Sequence, residues 1–207
     1  MEPLCHARLP QNPLQPKVLH ANKKCGNLRK CTRWTRKHHY QEQMISSWVP
    51  YLPSSKDQTL NIMRLLEGRT GHLADLGSGD GRLVFAASSA GFQCTGFEIN
   101  SLLVAYSRSK ALWIGVPPSQ ATFVKKDFWK TDLSIYNNVT AFLAPGVMEV
   151  LGDKLLKELP DDARVIVCRF PIPHWPHHSS VGSGLDQSWA YDIGTVRSRL
   201  GTIQSRD

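Results

Sequence analysis

The sequence predicts an α/β fold: a mostly parallel sheet interleaved with helices and finished by an antiparallel pair. Three observations carry this. Short apolar runs alternate with helix-like segments from residue 55 onward. A glycine-rich turn, Asp75-Leu76-Gly77-Ser78-Gly79-Asp80-Gly81, leaves the first of these runs. Finally, Arg164-Val165-Ile166-Val167-Cys168 is β-branched almost throughout, as a strand buried on both faces requires.

The elements follow in order. Order is expected to begin near Trp48-Val49-Pro50-Tyr51, and Ser55-Lys56-Asp57-Gln58 has the Ser-x-x-Gln form of a capping box that opens a helix. Leu60, Met63 and Leu66 supply that helix with an apolar stripe, and Gly68 stops it. A strand at 73–76 leads into a helix over 81–90, and a strand at 94–98 into a helix through Leu102, Leu103, Tyr106 and Trp113. Strands at 122–126 and 139–143, a helix at 147–159 and the strand at 164–168 continue the pattern. Gly182-Ser183-Gly184 and the alternation Trp189-Ala190-Tyr191-Asp192 predict the closing antiparallel pair.

A chain of 207 residues with 41% apolar content supports one such domain, placed at 46–207. The formal charge of +8 does not belong to it. Residues 1–40 hold nine Lys and Arg against the single acid Glu2, which leaves 16 of each sign in the remainder. Residues 1–45 are basic, broken by Pro3, Pro10, Pro13 and Pro16, and poor in periodic apolar positions, so a flexible segment is expected there. A mitochondrial targeting sequence and a solvated tail fit that composition equally. Five cysteines, an odd number at irregular spacing, indicate a reducing compartment. No window approaches 18 uninterrupted apolar residues, so no bilayer-spanning helix is predicted.

The glycine turn bears the chemistry. Gly77 and Gly79 let the backbone adopt positive φ and let a ligand approach without a Cβ in its way. A dinucleotide turn spaces its glycines G-x-G-x-x-G around a diphosphate, whereas this chain has Gly77-Ser78-Gly79-Asp80-Gly81. A carboxylate at Asp80 repels a diphosphate but suits the cationic amino end of S-adenosylmethionine, as does Asp75. Glu98, 17 residues beyond Gly81 at the end of the second strand, is placed to accept hydrogen bonds from both ribose hydroxyls. Asp127 ends the third strand where an adenine amino group is expected, with Phe128 and Trp129 beside it to cover the adenine face. Asp75, Gly77, Ser78, Gly79, Asp80, Glu98, Asp127, Phe128 and Trp129 are therefore the expected cofactor residues.

The loop after the fourth strand, Phe142-Leu143-Ala144-Pro145, has no side-chain amide or carboxylate to orient a planar nitrogen, which disfavours an adenine or glutamine acceptor. A lysine amine needs only to lose its proton and align with the methyl group. Here the chain resembles the mitochondrial protein-lysine methyltransferases that act on adenine nucleotide translocase and on the c subunit of ATP synthase. The resemblance runs from about Trp48 to Asp192. It rests on Val49-Pro50-Tyr51, Asp75 to Arg82, Phe97-Glu98-Ile99-Asn100, Asp127-Phe128-Trp129-Lys130, Cys168-Arg169-Phe170-Pro171-Ile172-Pro173-His174-Trp175 and Trp189 to Asp192. Phe142 to Pro145, Asp153-Lys154-Leu155 and Glu158-Leu159-Pro160 look more like the translocase enzyme. It implies a Rossmann-like seven-strand methyltransferase sheet, S-adenosylmethionine as donor, and a lysine of a mitochondrial inner-membrane protein as acceptor. That acceptor is expected to be the ADP/ATP translocase, with the ATP synthase c-ring protomer as the alternative. The family carries an apolar N-terminal anchor where this chain has its basic stretch, so a cytoplasmic location stands as an alternative to the mitochondrial one.

The loop 169–175 follows the fifth strand at the ligand-binding edge of such a sheet. Pro145, Phe170, Pro171, Trp175, Trp189 and Tyr191 are candidates for lining a lysine channel, where aromatic faces favour an amine. No side chain presents itself as the catalytic base, and water is a sufficient proton acceptor. No metal is expected: neither Cys168 with His174, His177 and His178 nor Cys25, Cys31, His38 and His39 has zinc-ligand spacing. Two rival functions remain, a nucleic-acid methyltransferase steered by the basic tail and a binding module that kept the fold without turnover.

Overall fold

The computed structural model describes residues 54–204. The expectations for the flexible segment 1–45, for ordering near Trp48 and Tyr51, and for Cys25, Cys31, His38 and His39 lie outside the described residues. The capping box forms as the sequence requires. Ser55 Oγ accepts from the backbone N–H of Gln58, Gln58 Oε1 accepts from that of Ser55, and helix α1 spans Lys56–Leu65. Its buried face keeps only part of the expected stripe: Leu66 is buried and Met63 packs against the core, but Leu60 is exposed. Gln58, Asn61, Ile62 and Leu65 also turn inward, because Gln58 Nε2 and Asn61 Nδ2 donate to the carbonyls of Leu185 and Asp186. A helix that meets polar backbone buries amides there, which an apolar pattern does not reveal.

Seven strands follow: β1 (His72–Leu76), β2 (Gln93–Glu98), β3 (Ala121–Lys125), β4 (Asn138–Ala141), β5 (Arg164–Cys168), β6 (Ser179–Val181) and β7 (Ser188–Asp192). They form one sheet in the order β3-β2-β1-β4-β5-β7-β6. All pairs are parallel except β5 with β7 and β7 with β6, so the expected antiparallel close is present. The helices are α2 (Arg82–Ser89), α3 (Ser101–Trp113), α4 (Met148–Glu158) and α5 (Ile193–Gln204). The last of these carries no strong sequence signal; Ile193 and Val196 anchor it in the core.

Each strand alternates between two cores, as a two-residue period demands. Leu73, Cys94, Phe123, Ile166 and Cys168 face α1, α2 and α3, while Ala74, Leu76, Phe97, Val139, Val165 and Val167 share the other core with Met148, Leu151 and Leu155 of α4. Cys94 and Cys168 are buried free thiols whose pKa burial pushes up to about 12, so both stay protonated and inert. Helix α3 also departs from expectation. It buries Val104, Ser107 and Ala111, and leaves Leu102, Tyr106 and Trp113 in solvent.

Candidate active site

Strand order reverses between β1 and β4, and in a wound sheet the crevice outside the carboxyl ends of the strands at that point receives ligands. β1 runs out there into the glycine turn. Gly77, Gly79 and Gly81 all take positive φ, and the N–H groups of Gly77 and Ser78 both donate to the Phe97 carbonyl at 2.9 Å. The turn is thereby sewn to the end of β2. At Gly81 a Cβ would lie 2.6 Å from the Phe123 ring, and at Gly96 it would lie 2.7 Å from Ser78 Oγ. Only glycine fits either place. Gly96 escapes the sequence reading, although a lone glycine inside a strand is the usual sign of such close approach.

Glu98 ends β2 beside this turn. Gly79 N–H donates to its Oε2 at 3.0 Å, and the N–H groups of Ile99 and Asn100 donate to its Oε1 at 2.8 Å each. Three backbone donors fix the carboxylate in one rotamer: Oε1 accepts two of them and Oε2 one, which leaves acceptor capacity for a ligand hydroxyl on Oε2.

Asp75 lies on the same face, because 75 alternates with the core residues 74 and 76 just as 140 alternates with 139 and 141. Thr140 Oγ1 donates to its Oδ1 at 2.9 Å. Burial, together with the negative charges of Glu98 and Asp80, pushes the Asp75 pKa up to about 7 against the lowering effect of Thr140. Its ordinary value is 3.8, so between the two the folded chain holds a proton that the unfolded chain has lost. The stabilising contribution of that proton is therefore lost as pH rises, and stability declines until the upper value is passed. Urea titrations of the ligand-free protein are expected to show stability falling from pH ~5 to ~8, and Asp75→Asn is expected to flatten that slope. An unaltered slope in the variant would assign the effect to other groups.

Asp80 is paired within the chain. Arg82 turns back from the first position of α2 and grips both Asp80 oxygens, at 2.7 Å for Nη2, while its other nitrogen donates to the Ser54 carbonyl. The negative charge expected to meet a cationic ligand is answered within the chain. Asp127 Oδ1 accepts from the Trp129 N–H at 3.0 Å and caps the short turn Phe128–Lys130, with Lys130 Nζ 3.9 Å from its other oxygen. Of the two rings expected over an adenine, Phe128 is turned into the core and packs against Trp129 at 4.8 Å between centroids. Trp129 is half-buried. Its Nε1 and Ser78 Oγ are buried without a hydrogen-bond partner among the described residues.

The channel candidates divide in the same way. Pro145 and Pro171 are exposed and Phe170 half-buried, at the ends of β4 and β5. Trp189 is half-buried within β7, opposite Val167. Trp175 and Tyr191 are core residues instead: Tyr191 is 1% exposed, meets Trp175 edge-on at 5.5 Å, and accepts from the Ile172 N–H on its hydroxyl. They lie beneath the loop and brace it. Arg169 and His174, in the same loop, hold positive φ without being glycine. The imidazole of His178 sits 3.2 Å from Asp192, which Arg164 also grips.

The strand order, the glycine turn and the carboxylate at the end of β2 together define a Rossmann-like methyltransferase fold. Comparison with known proteins agrees. The model of the ANTKMT methyltransferase domain matches residues 75–179, and the chain belongs to that family. The human lysine N-methyltransferase of the ATP synthase c protein is 48% identical over 151 residues, covering 73% of this chain and 64% of the human protein. The mouse adenine nucleotide translocase lysine N-methyltransferase is 45% identical over 146 residues, covering 70% and 63%. The chain thus spans less than two thirds of either. Among solved structures, an RNA methyltransferase from Salinibacter ruber in complex with S-adenosyl-L-homocysteine superposes with a TM-score of 0.64 at 28% identity, covering 69% of this chain and 94% of that one.

Proposed function

We propose that this protein is an S-adenosylmethionine-dependent protein-lysine N-methyltransferase acting on an inner-membrane protein of the mitochondrion. The observation that carries the reading is Glu98, locked by three backbone N–H groups at the rim of a glycine turn; a carboxylate held there suits a ribose hydroxyl. The residues fit the donor. Gly77 and Gly79 hold positive φ at the turn, Asp75 is a buried acid whose hydrogen-bond partner is the neutral Thr140, and the unmatched Ser78 and Trp129 donors lie in the same strand-end loops.

S-adenosylmethionine supplies an electrophilic methyl group on a sulfonium. This chain binds and orients. Gly77 and Gly79 admit the ligand to the turn, Glu98 accepts from the ribose hydroxyls, and Asp75 in its ionised form complements the ammonium end. Pro145, Phe170 and Pro171, at the ends of β4 and β5, supply an apolar rim that would exclude water from the amine and favour alignment. No side chain is assigned as the base, and water is a sufficient acceptor for the lysine proton.

The domain beyond residue 40 is electrically balanced, and the loop after β4 offers no amide, so a protein acceptor is preferred to RNA. The blocks around Phe142 and Asp153 favour the ADP/ATP translocase. The c protein of ATP synthase is the second reading, supported by the 48% identity to the human enzyme named for it. The test is methylation by the purified chain, with radiolabelled donor, of reconstituted translocase, of isolated c protein and of mitochondrial RNA, followed by mass spectrometry of the products. Label on a translocase lysine supports the first reading, and label on the c protein alone selects the second. Label that nuclease removes would defeat both.

A further inference from the structure

Helix α3 is built inside out. Its buried face is the small set Val104, Ser107 and Ala111, while Leu102, Tyr106 and Trp113, which fall on one helical stripe, and Leu112 beside them face solvent. Ile99 and Ile114 extend the exposed apolar surface at the two ends. Trp113 is 87% exposed, Leu112 81% and Leu102 79%, values that a solvated helix has no reason to maintain in a cluster. The side chains of Leu102, Tyr106, Leu112 and Trp113 are not among the groups that hold Glu98 or the glycine turn.

The charge around the stripe is of one sign. From Ile99 to Lys126 there is no Asp or Glu, and Arg108, Lys110, Lys125 and Lys126 are the charged residues. Arg108, Lys125 and Lys126 are exposed, and Lys110 lies over the rings of Phe85 and Tyr106 at 4.8 and 6.0 Å. Leu, Tyr and Trp on one face with a cationic border is the make-up of a helix that lies in a membrane interface, apolar side down and bases toward headgroups.

We propose that this face docks the protein onto the surface of a bilayer that carries anionic lipid. Two other occupants meet an electrostatic obstacle. A second copy, joined about a two-fold axis, would press this cationic border against itself. Residues 1–40 of the chain carry nine Lys and Arg against one acid, so they bring the same sign. An anionic headgroup layer satisfies the border, and acyl chains satisfy the stripe. Since α3 begins at Ser101, three residues beyond Glu98, docking through Ile99 and Leu102 sets the rim of the donor site beside the lipid. The inference stands whether or not methyl transfer to lysine is the activity, since lipid binding is read separately.

The experiment is flotation of the full chain with vesicles of phosphatidylcholine alone and with about one third phosphatidylglycerol. It is run at low salt and at about 0.5 M NaCl, which suppresses attraction by the basic N-terminal segment. Binding to the mixed vesicles that persists at high salt is expected. Leu112→Ser/Trp113→Ser, and separately Leu102→Ser/Tyr106→Ser, should lower the high-salt partition about tenfold or more. The urea midpoint and donor affinity should stay in place. The proposal is overturned if the wild-type chain does not float, if both double variants partition as it does, or if the wild type sediments as a dimer that Trp113→Ser separates.

Discussion

Replacing Glu98 with alanine is expected to weaken S-adenosylmethionine binding about a hundredfold in calorimetry. A ribose hydroxyl that donates to a charged acceptor contributes ~1.5–3 kcal/mol, and a hundredfold loss corresponds to about 2.7 kcal/mol. The same carboxylate holds the N–H groups of Gly79, Ile99 and Asn100, and removing it also loosens the turn that admits the ligand. Glu98→Gln separates the two contributions. It retains one carbonyl acceptor and most of the shape while losing charge, so an intermediate affinity is expected. A dissociation constant for the alanine variant equal to that of the wild type would remove Glu98 from the site.

Gly81→Ala is expected to destabilise the fold by about 3 kcal/mol in urea unfolding. Alanine in the left-handed region costs ~1–2 kcal/mol, and Gly81 sits there at φ 77° as it opens α2. The added methyl would also lie 2.6 Å from the Phe123 ring, an overpacking that costs ~1–3 kcal/mol. Gly91 supplies the control. Its φ is 94°, but nothing lies within 4 Å of its would-be Cβ, so Gly91→Ala should show the conformational cost alone. Equal losses at the two positions would mean that Phe123 moves aside freely.

The order and type of the elements from α1 to β7 were legible because β-branched runs, the capping box and the glycine turn are local signals. Faces were less legible. Leu60, Leu102, Tyr106 and Trp113 are apolar and exposed, while Gln58, Asn61 and Ser107 are polar and buried, since hydrogen bonds to Leu185, Asp186 and Gly79 carbonyls decide those orientations from far along the chain. In the site, Gly77, Gly79 and Glu98 could be placed from spacing. Thr140 could not, because it reaches Asp75 only through the β1–β4 register, 65 residues away in sequence. Arg82 pairs with Asp80 by a bend of two residues that composition does not encode. Tyr191 and Trp175 looked like channel residues because aromatic residues near a strand end serve equally well as floor or wall.

Among the described residues β7 is the last strand, yet it is interior to the sheet: β5 pairs with it on one side and β6, which has no other neighbour there, on the other. Until Ser188 to Asp192 have emerged from the ribosome, a nascent chain carries the completed β5 with one row of amides and carbonyls unmatched and β6 with none matched. Such an edge invites pairing with other chains. The seal is applied late, which keeps the polypeptide pliable for chaperones during synthesis and makes a stop codon before residue 188 far more damaging than its position suggests.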